Sequence, residues 1–474
     1  MQQASLLAAV LTAALSLHAQ SAPVNMTLLS KLTNGASSYA AVWGYTAPDG
    51  REFAVVGAFN GTWIVETTDP KNPVSITTIP AGSTGSYNQW REMTGYGNHI
   101  YSVSEAQAGI RVIDMTNPTV PVNLGLVHSA VWANTHSIHC DPDQGRIYAC
   151  GTNKGMYILD AKANPAAPPI LGTFSTKYVH EAFVRRGKGY LAEIYSPGNI
   201  RIVNASNPAA LATLSLTATP GAWTHNAWVT NDDQQMVTTG EDPAGKVALY
   251  DISNPAAPVL KQSYSFTGHI DHDVFGLGRT IFCSYYTDGV HVLDISNPAV
   301  PIKRIASYDT STMPGPNYHG CWGVYPYTDS GVIYLSDIEN GLYVVQCDVG
   351  HMNRYGKGTA GTNGVPRATF DGASPMVGAA ACRLELANLE PNAPFVLVLG
   401  GGTANIPVLG ITVLVDLNGA ALVSGTADAQ GKATMPLPIP ANPGLATGKI
   451  YAQIVAAKGS GLIASRGMWF GIAP

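Results

Sequence analysis

Charged residues are scarce in this chain, and neither sign dominates. Lysine, arginine, aspartate and glutamate together make up 12% of the residues, and the formal net charge is −5. A general nucleic-acid binder needs a stripe of lysine and arginine that neutralises phosphates. Because the sequence has no such stripe, it argues against a nucleic-acid partner.

The motifs of several large enzyme classes are also missing. The sequence contains no HExxH, no GxSxG and no glycine-rich phosphate loop, and no serine or cysteine is flanked as a nucleophile. The sequence therefore does not define a class of reaction.

The sequence has only one long apolar run, Ala4–Leu17. This run is shorter than the roughly 18 residues of a membrane span. Small residues near Ala19 and Ala22 follow it, as at a signal-peptide cleavage site. We predict a signal peptide over residues 1–22; a buried N-terminal helix is the alternative. The mature protein is then secreted, extracellular or associated with the cell surface, without a transmembrane segment. Its oligomeric state is not indicated.

The six cysteines form no CxxC pattern. Cys140 and Cys150 flank an Asp-Pro-Asp-Gln-Gly turn, which predicts that they face each other across a hairpin as a possible disulfide. For the other four, buried free thiols and disulfides are both open.

Glycine and proline, by contrast, are abundant, at 50 and 32 residues, which is typical of a turn-rich β protein. The segment Gly289–Pro301, GVHVLDISNPAVP, recurs in related form through the first 350 residues. The leading glycines stand at 61, 109, 155, 198, 245, 289 and 341, a period of 43 to 52 residues. A fixed period of this size indicates a repeat architecture.

Each repeat contains four strand-like segments joined by Gly- and Asn-Pro-rich turns. The third, of the type VHVLD, is so apolar that we expect burial on both faces, as between stacked sheets. Repeated radially, such sheets form a β-propeller. Seven units can be counted, and the seventh lacks its fourth strand; Val24–Thr33 has the fitting pattern and is predicted to complete it.

The predicted fold is thus all-β. A seven-bladed β-propeller spans residues 24–348, with blade seven closed by the N-terminal strand. A linker covers residues 349–368 and a C-terminal β-sandwich residues 369–474.

Histidines recur where the first strands begin, and acids recur where the second strands end. In a propeller both positions meet at one mouth of the central channel, which predicts a ligand site there. The candidates are His136, His139, His180, His225, His272, His319, Glu105, Glu193, Glu241 and Asp337. His180, His225 and His272 are the candidate ligands of one divalent metal ion. A purely structural histidine ring is the alternative.

Several stretches resemble known families. Strands such as VHVLDISNP and IRVIDMTNP resemble the LVIVD repeat of β-propellers. Residues 38–347 are more closely similar to the choice-of-anchor B family of secreted bacterial proteins, and the matching stretches are SYAAVWGY, QWREM, THSIH, HEAFV, THNAWVTND, IDHDVF and GCWGVYPY. This resemblance implies an exported propeller of unassigned activity. The C-terminal region resembles β modules appended to other secreted bacterial proteins.

The function expected from the sequence is a secreted or cell-surface binding protein. Its ligand, a small molecule, a glycan or a protein, would bind at the mouth lined by histidines and acids. The alternative is a metal-dependent extracellular hydrolase or lyase that uses the same residues to activate water.

Overall fold

The computed structural model describes residues 20–83 and 85–474. The predicted signal peptide, residues 1–22, therefore lies almost wholly outside the described residues.

In the part of the chain that is described, seven sheets each contain four antiparallel strands. One N-terminal strand, β1 (Met26–Leu32), comes before them in the chain. Sheet 1 contains β2 (Tyr39–Thr46), β3 (Glu52–Ala58), β4 (Gly61–Glu66) and β5 (Val74–Pro80). Sheet 2 contains β6 (Arg91–Tyr96), β7 (His99–Ser104), β8 (Gln107–Asp114) and β9 (Val122–Val127). Sheet 3 contains β10 (Ser137–Asp141), β11 (Arg146–Thr152), β12 (Gly155–Asp160) and β13 (Ile170–Phe174).

The later sheets repeat this order. Sheet 4 contains β14 (Glu181–Arg185), β15 (Lys188–Glu193), β16 (Asn199–Asn204) and β17 (Ala212–Ala218). Sheet 5 contains β18 (Ala227–Val229), β19 (Gln235–Thr238), β20 (Val247–Asp251) and β21 (Val259–Tyr264). Sheet 6 contains β22 (Val274–Leu277), β23 (Thr280–Ser284), β24 (Val290–Asp294) and β25 (Lys303–Tyr308). Sheet 7 contains β26 (Cys321–Tyr325), β27 (Ile333–Asp337), β28 (Gly341–Cys347) and, as its fourth strand, β1.

The N-terminal segment pairs where the sequence pattern predicted. β1 lies antiparallel to β28, with Met26 opposite Cys347 and Leu32 opposite Leu342. Met26 is buried among side chains of sheets 6 and 7. The N-terminal segment thus supplies the strand that this sheet lacks.

The third strands are the most buried part of each sheet. All five residues of β24 are buried. In β4, β12 and β20 every residue is buried except one or two at the ends, which are partly buried. The fourth strands, such as β9 and β17, are largely exposed. The predicted burial of the third strand on both faces is therefore confirmed, and the sheets have the form expected of propeller blades.

The hydrophobic core lies between neighbouring sheets. Trp63 of sheet 1, for example, packs in one cluster with Tyr334 and Val344 of sheet 7. The first strand of each sheet contacts the first strand of the next sheet, and β26 of sheet 7 contacts β2 of sheet 1.

In five of the seven sheets the glycine at the start of the third strand has a steric reason, which Gly289 shows best. Its φ is +73°, and an added Cβ would lie 1.9 Å from the backbone oxygen of Tyr308 at the end of the neighbouring fourth strand. The same close carbonyl approach occurs at Gly61, Gly109, Gly155 and Gly341. At these positions the repeated glycine thus marks a crossing of two backbones that leaves no room for a side chain.

The prediction of a disulfide between Cys140 and Cys150 is wrong. The hairpin forms, but its register places Ile147 opposite Cys140 and Ser137 opposite Cys150. Because Cys140 is three residues from Ser137, the two thiols project from opposite faces of the sheet. All six cysteines are buried free thiols.

The C-terminal region has its own sheets. A sheet runs in the order β29 (Asn353–Tyr355), β39 (Gly467–Gly471), β37 (Lys449–Lys458), β32 (Pro394–Gly400) and β35 (Ala421–Thr426), and β38 (Gly461–Ala464) pairs with β37. A second sheet contains β30 (Arg367–Gly372), β31 (Cys382–Ala387) and β36 (Ala433–Pro436), and β33 (Thr403–Val408) pairs with β34 (Ile411–Val415). Leu384 of β31 and Leu397 of β32 share one core cluster, so the two larger sheets pack together. The segment predicted as a linker contributes β29 to this region.

Helical structure in the described ranges consists of two short 3₁₀ turns, Ser86–Gln89 and Pro443–Leu445. No helix there has the length and apolar character needed to cross a membrane.

A buried histidine between sheet 7 and the C-terminal region makes stability depend on pH. His351 is 3% exposed, its Nε2 lies 2.7 Å from the Gly331 oxygen, and burial lowers its pKa to about 4. A lowered histidine pKa stabilises the fold above the unfolded value near 6.5, and this stabilisation is lost as the pH falls towards 4. We expect His351→Gln, which keeps an N–H donor but does not ionise, to remove about 2.5 kcal/mol of the loss in free energy of unfolding between pH 7.5 and 4.5. Urea unfolding of both proteins at pH 7.5 and 4.5 measures this, and equal losses would show that His351 does not contribute.

Candidate metal centre

Four histidines from four consecutive sheets form one cluster, here called the histidine cluster: His136, His180, His225 and His272. Neighbouring ring centroids are 4.0, 4.7 and 4.1 Å apart along this series. The first two residues are 7% exposed and the last two 1%. The structure thus brings together four of the six histidines that the sequence proposed.

The same backbone register places each of these histidines. Their amide groups donate to carbonyl oxygens at the end of the second strand of their own sheet. The acceptors are Cys150, Ala192, Thr239 and Ser284, at 2.8 to 3.0 Å. A sequence repeat that fixes this register therefore carries each imidazole to the equivalent position.

The hydrogen bonds of the rings decide which nitrogens remain free. His136 Nδ1 lies 2.6 Å from Glu105 Oε1, and His272 Nδ1 lies 2.7 Å from the Trp322 carbonyl oxygen. A carbonyl only accepts, so His272 carries its proton on Nδ1 and presents the lone pair of Nε2. His180 Nε2, His225 Nδ1 and His272 Nε2 are buried without a hydrogen-bond partner.

Glu241 joins the cluster from the end of the second strand of sheet 5. Its two carboxylate oxygens lie 3.7 Å from His225 Nε2 and 3.7 Å from His272 Nε2. The residue has a left-handed φ of +54°, and its carboxylate accepts a hydrogen bond of 2.8 Å from the Tyr286 hydroxyl. Burial raises the pKa of Glu241 to about 8.

Burial keeps three of the imidazoles neutral. It lowers the pKa of His272 to about 3, and burial followed by repulsion from neighbouring imidazoles holds the pKa of His180 and of His225 well below the usual value. Neutral imidazole is the form that binds metal ions. These three imidazoles are thus in the metal-binding form at neutral pH.

The spacing of these groups fits a metal ion. Ligand atoms of His136, His180 and His225 lie within 4.8 Å of one another, and so do those of His225, His272 and Asp273. Zinc bonds of about 2.0–2.1 Å at tetrahedral angles place ligand atoms roughly 3.3–3.5 Å apart. The separations of 3.7 Å between Glu241 and the two Nε2 atoms are close to this value. These residues can therefore hold a divalent ion after a small adjustment.

A second polar layer, here called the acidic layer, consists of Glu92, Glu181 and Asp273. Together with Ser137 and Asn226 it lines a small cavity of about 50 Å³. Asn226 Nδ2 donates to Glu181 Oε2 at 2.5 Å and to Asp273 Oδ1 at 3.3 Å. Burial raises the pKa of Asp273 to about 7 and the pKa values of Glu92 and Glu181 well above their usual range.

Sequence reasoning did not single out the acidic layer, although a signal for it was present. Each clustered histidine is followed directly by a polar residue, in the pairs His136-Ser137, His180-Glu181, His225-Asn226 and His272-Asp273. Successive strand residues face opposite sides, but these pairs lie where the first strand begins, and both members reach the interior.

An open depression adjoins the histidine cluster. It has a volume of about 650 Å³, and its lining includes Glu105, Lys154, Lys177, Tyr178 and Tyr195. Glu105, through its contact with His136, links this depression to the cluster. The volume lies in the range of small-ligand sites, about 300–1,000 Å³.

Four of the proposed residues lie apart from the cluster, each with a local partner. His139 Nε2 lies 3.0 Å from the Val184 oxygen in the neighbouring sheet, and Glu193 pairs with Arg201 at 2.5 Å. His319 is partly buried, with 39% of its side chain exposed, and pairs with Glu339 at 2.5 Å. Asp337 accepts from the backbone amides of Glu339 and Asn340 at 3.0 and 2.8 Å, as a turn residue does.

The LVIVD repeat matches the chain at residues 246–265 and 286–310. These matches cover the third and fourth strands of sheets 5 and 6. The repeats and the four-stranded sheets together support a protein of the LVIVD-repeat β-propeller type. The closer resemblance to the choice-of-anchor B family stays a prediction. Comparison with the curated proteins gives no significant match.

Proposed function

We propose that this chain is a secreted or cell-surface binding protein built on a seven-bladed β-propeller, followed by a C-terminal β-sandwich from about residue 369. A divalent transition-metal ion of the zinc type binds to the histidine cluster in the central channel. The ligand, a small molecule, a glycan or an extended part of a protein, binds in the adjoining depression.

Contacts between sheets support the propeller. The first strands of neighbouring sheets touch in series, and the contact between β26 and β2 joins the last sheet to the first. With β1 as the fourth strand of sheet 7, all seven sheets have the same number of strands. A closed ring needs both features, because an open array would leave two large sheet faces exposed.

The observation that carries the metal proposal is the set of buried, unpartnered imidazole nitrogens. His180 Nε2 and His272 Nε2 have no hydrogen-bond partner, and His225 Nε2 lies 3.7 Å from the Glu241 carboxylate. A buried polar atom without a partner costs about 1–3 kcal/mol, and a coordinated metal ion removes that cost. Imidazole with one carboxylate suits zinc, copper, nickel or iron better than calcium or magnesium.

Metal analysis tests the proposal. We expect the purified protein, after incubation with Zn²⁺ and dialysis, to retain about one equivalent of zinc, since the groups around His225 form one connected cluster. The double variant His180→Ala/His225→Ala should retain none. His319→Ala serves as the matched control, because His319 lies outside the cluster, and it should keep the full equivalent.

Two outcomes would contradict the metal proposal. The first is a wild-type protein that retains no zinc. The second is a folded double variant, verified by circular dichroism, that retains as much zinc as the wild type.

A further inference from the structure

Two cavities adjoin where sheets 1, 6 and 7 meet the C-terminal region. One is largely apolar, with a volume of about 250 Å³, and the other is a basic depression of about 790 Å³. Tyr327, Arg354 and Arg367 line both, so the two cavities form one groove, here called the junction groove. We propose that the junction groove binds a small organic acid, with its apolar group in the smaller cavity and its carboxylate held by Arg354 and Arg367. This inference goes beyond the proposed function and does not require it.

The smaller cavity has apolar walls that other contacts hold in place. Its lining includes Leu277, Pro326, Tyr327, Met352 and Phe370. The Tyr327 hydroxyl accepts a hydrogen bond of 3.3 Å from the Gly276 amide, and the Phe370 ring packs edge-on against the Phe470 ring at 4.9 Å. Because these contacts fix both rings without a ligand, the cavity is preformed. Its volume lies just below the roughly 300–1,000 Å³ of small-ligand sites, which suits one aromatic or branched aliphatic group.

The larger cavity has an excess of positive charge. Its lining contains five basic and three acidic side chains, namely Arg51, Arg354, Lys357, Arg367, Arg466, Asp49, Glu52 and Asp329. Arg367 and Arg466 share one carboxylate, that of Asp329, at 2.9 and 3.0 Å. Within the described part of the chain, Arg354 and Lys357 form no ion pair. The excess charge favours an anionic ligand in this cavity.

The surroundings of Arg354 point to a ligand independently of this charge count. Its Nη1 and Nη2 donate to the backbone oxygens of Asp329 and Ala368 at 3.2 and 2.6 Å, and its Nε is buried without a hydrogen-bond partner. Burial, followed by repulsion from Arg367, lowers the pKa of Arg354 to about 10, so its guanidinium stays charged at neutral pH. A buried guanidinium that hydrogen-bonds only to neutral carbonyl oxygens is costly, and an anion beside it supplies the missing charge. The planar guanidinium donors match a carboxylate.

The junction groove and the histidine cluster lie at opposite ends of the first strands. His272 comes shortly before β22, and Leu277 is the last residue of that strand. Along an extended chain this separation is up to roughly 16 Å. A small ligand in the junction groove therefore does not reach the metal ligands, and the two sites can be tested separately.

Saturation-transfer NMR with 4-phenylbutyrate tests the site, because this probe joins one aromatic ring to one carboxylate. The full chain is first dialysed against EDTA, so that metal on the histidine cluster does not hold the carboxylate. We expect saturable binding of 4-phenylbutyrate by the wild type. Acetate, which lacks the ring, and 4-phenylbutylamine, which reverses the charge, should each bind weaker by about tenfold or more.

Two variants locate the bound probe. Arg367→Gln removes a partner of the carboxylate, and Thr369→Trp adds a large ring at an exposed position that lines the smaller cavity. Each should weaken binding of 4-phenylbutyrate by about tenfold. Arg383→Gln is the matched control and should bind like the wild type. The Arg367 and Arg383 side chains are both 47% exposed and each pairs with an aspartate, but Arg383 lines neither cavity.

A thermal measurement shows whether a variant that loses binding is still folded. Arg367 and Thr369 are exposed, so without the probe both variants should melt close to the wild-type Tm. The probe should raise the Tm of the wild type and of Arg383→Gln but not of the other two variants. Absence of saturable 4-phenylbutyrate binding by the wild type, equal binding of 4-phenylbutylamine, or unchanged binding by either folded groove variant would overturn the inference. Because metal is absent from this test, each of these results leaves the zinc measurement unaffected.

Discussion

A chain that begins at Asn34 is expected to melt about 5 °C below a chain that begins at Ser21. The shorter chain lacks β1, which pairs with β28 through six residue pairs and buries Met26 between sheets 6 and 7. Each lost backbone hydrogen bond costs about 1 kcal/mol, so the total is on the order of 5 kcal/mol. For a protein of this size, 1 kcal/mol corresponds to about 1 °C in Tm, because the entropy of unfolding grows with chain length.

The matched comparison is between two truncated chains, so that loss of the predicted signal peptide does not enter the difference. Differential scanning calorimetry of both gives the result. A difference of less than about 1 °C, which corresponds to about 1 kcal/mol, would mean that the pairing of β1 contributes little to stability.

The substitution Gly289→Ala is expected to lower the free energy of unfolding by about 3 kcal/mol or more. Two costs add: the left-handed backbone, about 1–2 kcal/mol for a residue with a side chain, and the clash with the Tyr308 oxygen. The added Cβ would lie 1.9 Å from that oxygen, and relief requires the two strands to move apart.

Gly97→Ala separates these two costs. Gly97 also has a positive φ, +55°, but an added Cβ there would have no neighbour within 4 Å. The Gly97→Ala variant should therefore lose only about 1–2 kcal/mol in free energy of unfolding, which is the backbone cost alone. Urea unfolding of both variants measures the difference, and equal losses would show that the backbone crossing at Gly289 is not the reason for the glycine.

The elements of the fold that follow from local pattern could be predicted from the sequence. The apolar run of β24 predicted a strand buried on both faces, and all of its residues are buried. The segment around Met26 could be assigned to sheet 7 because that sheet lacked a strand of the same pattern. Hydrophobic periodicity and turn residues act locally, so a single sequence carries them.

Register and side-chain direction were harder to predict. Cys140 and Cys150 flank a turn, yet a hairpin register that sets Cys140 opposite Ile147 separates them. In the same way, His139 and His136 are three residues apart in one segment, but only His136 enters the cluster, because His139 turns towards Val184 of the next sheet. Such outcomes depend on which face of the strand is already occupied, and a pattern of residue types does not contain this.

Only part of the candidate site could be predicted, because repeated residue types show equivalent positions but not side-chain direction. Repeated histidines pointed to the cluster, since equivalent positions of a repeat lie at equivalent places. The acidic layer and the polar residues beside it vary in type from sheet to sheet, namely Glu92, Ser137, Glu181, Asn226 and Asp273, so no single repeated residue marked them. The signal in the sequence was only that a polar residue follows each clustered histidine, and the shared cavity gave it meaning.

The pairing of β1 with β28 also constrains how the chain can fold. The bond between Thr27 and Asp348 spans 321 residues, so β1 has no partner strand until almost the whole repeat region has been synthesised. Sheets 1 to 6 are each built from neighbouring segments and can form as soon as they emerge. Sheet 7 alone depends on a contact of very long sequence separation, whose loop-closure entropy makes it slow. Until that contact forms, the open edge of β28 is the place where a second chain can add a strand, and the delay between synthesis of β1 and its docking is the period of greatest aggregation risk.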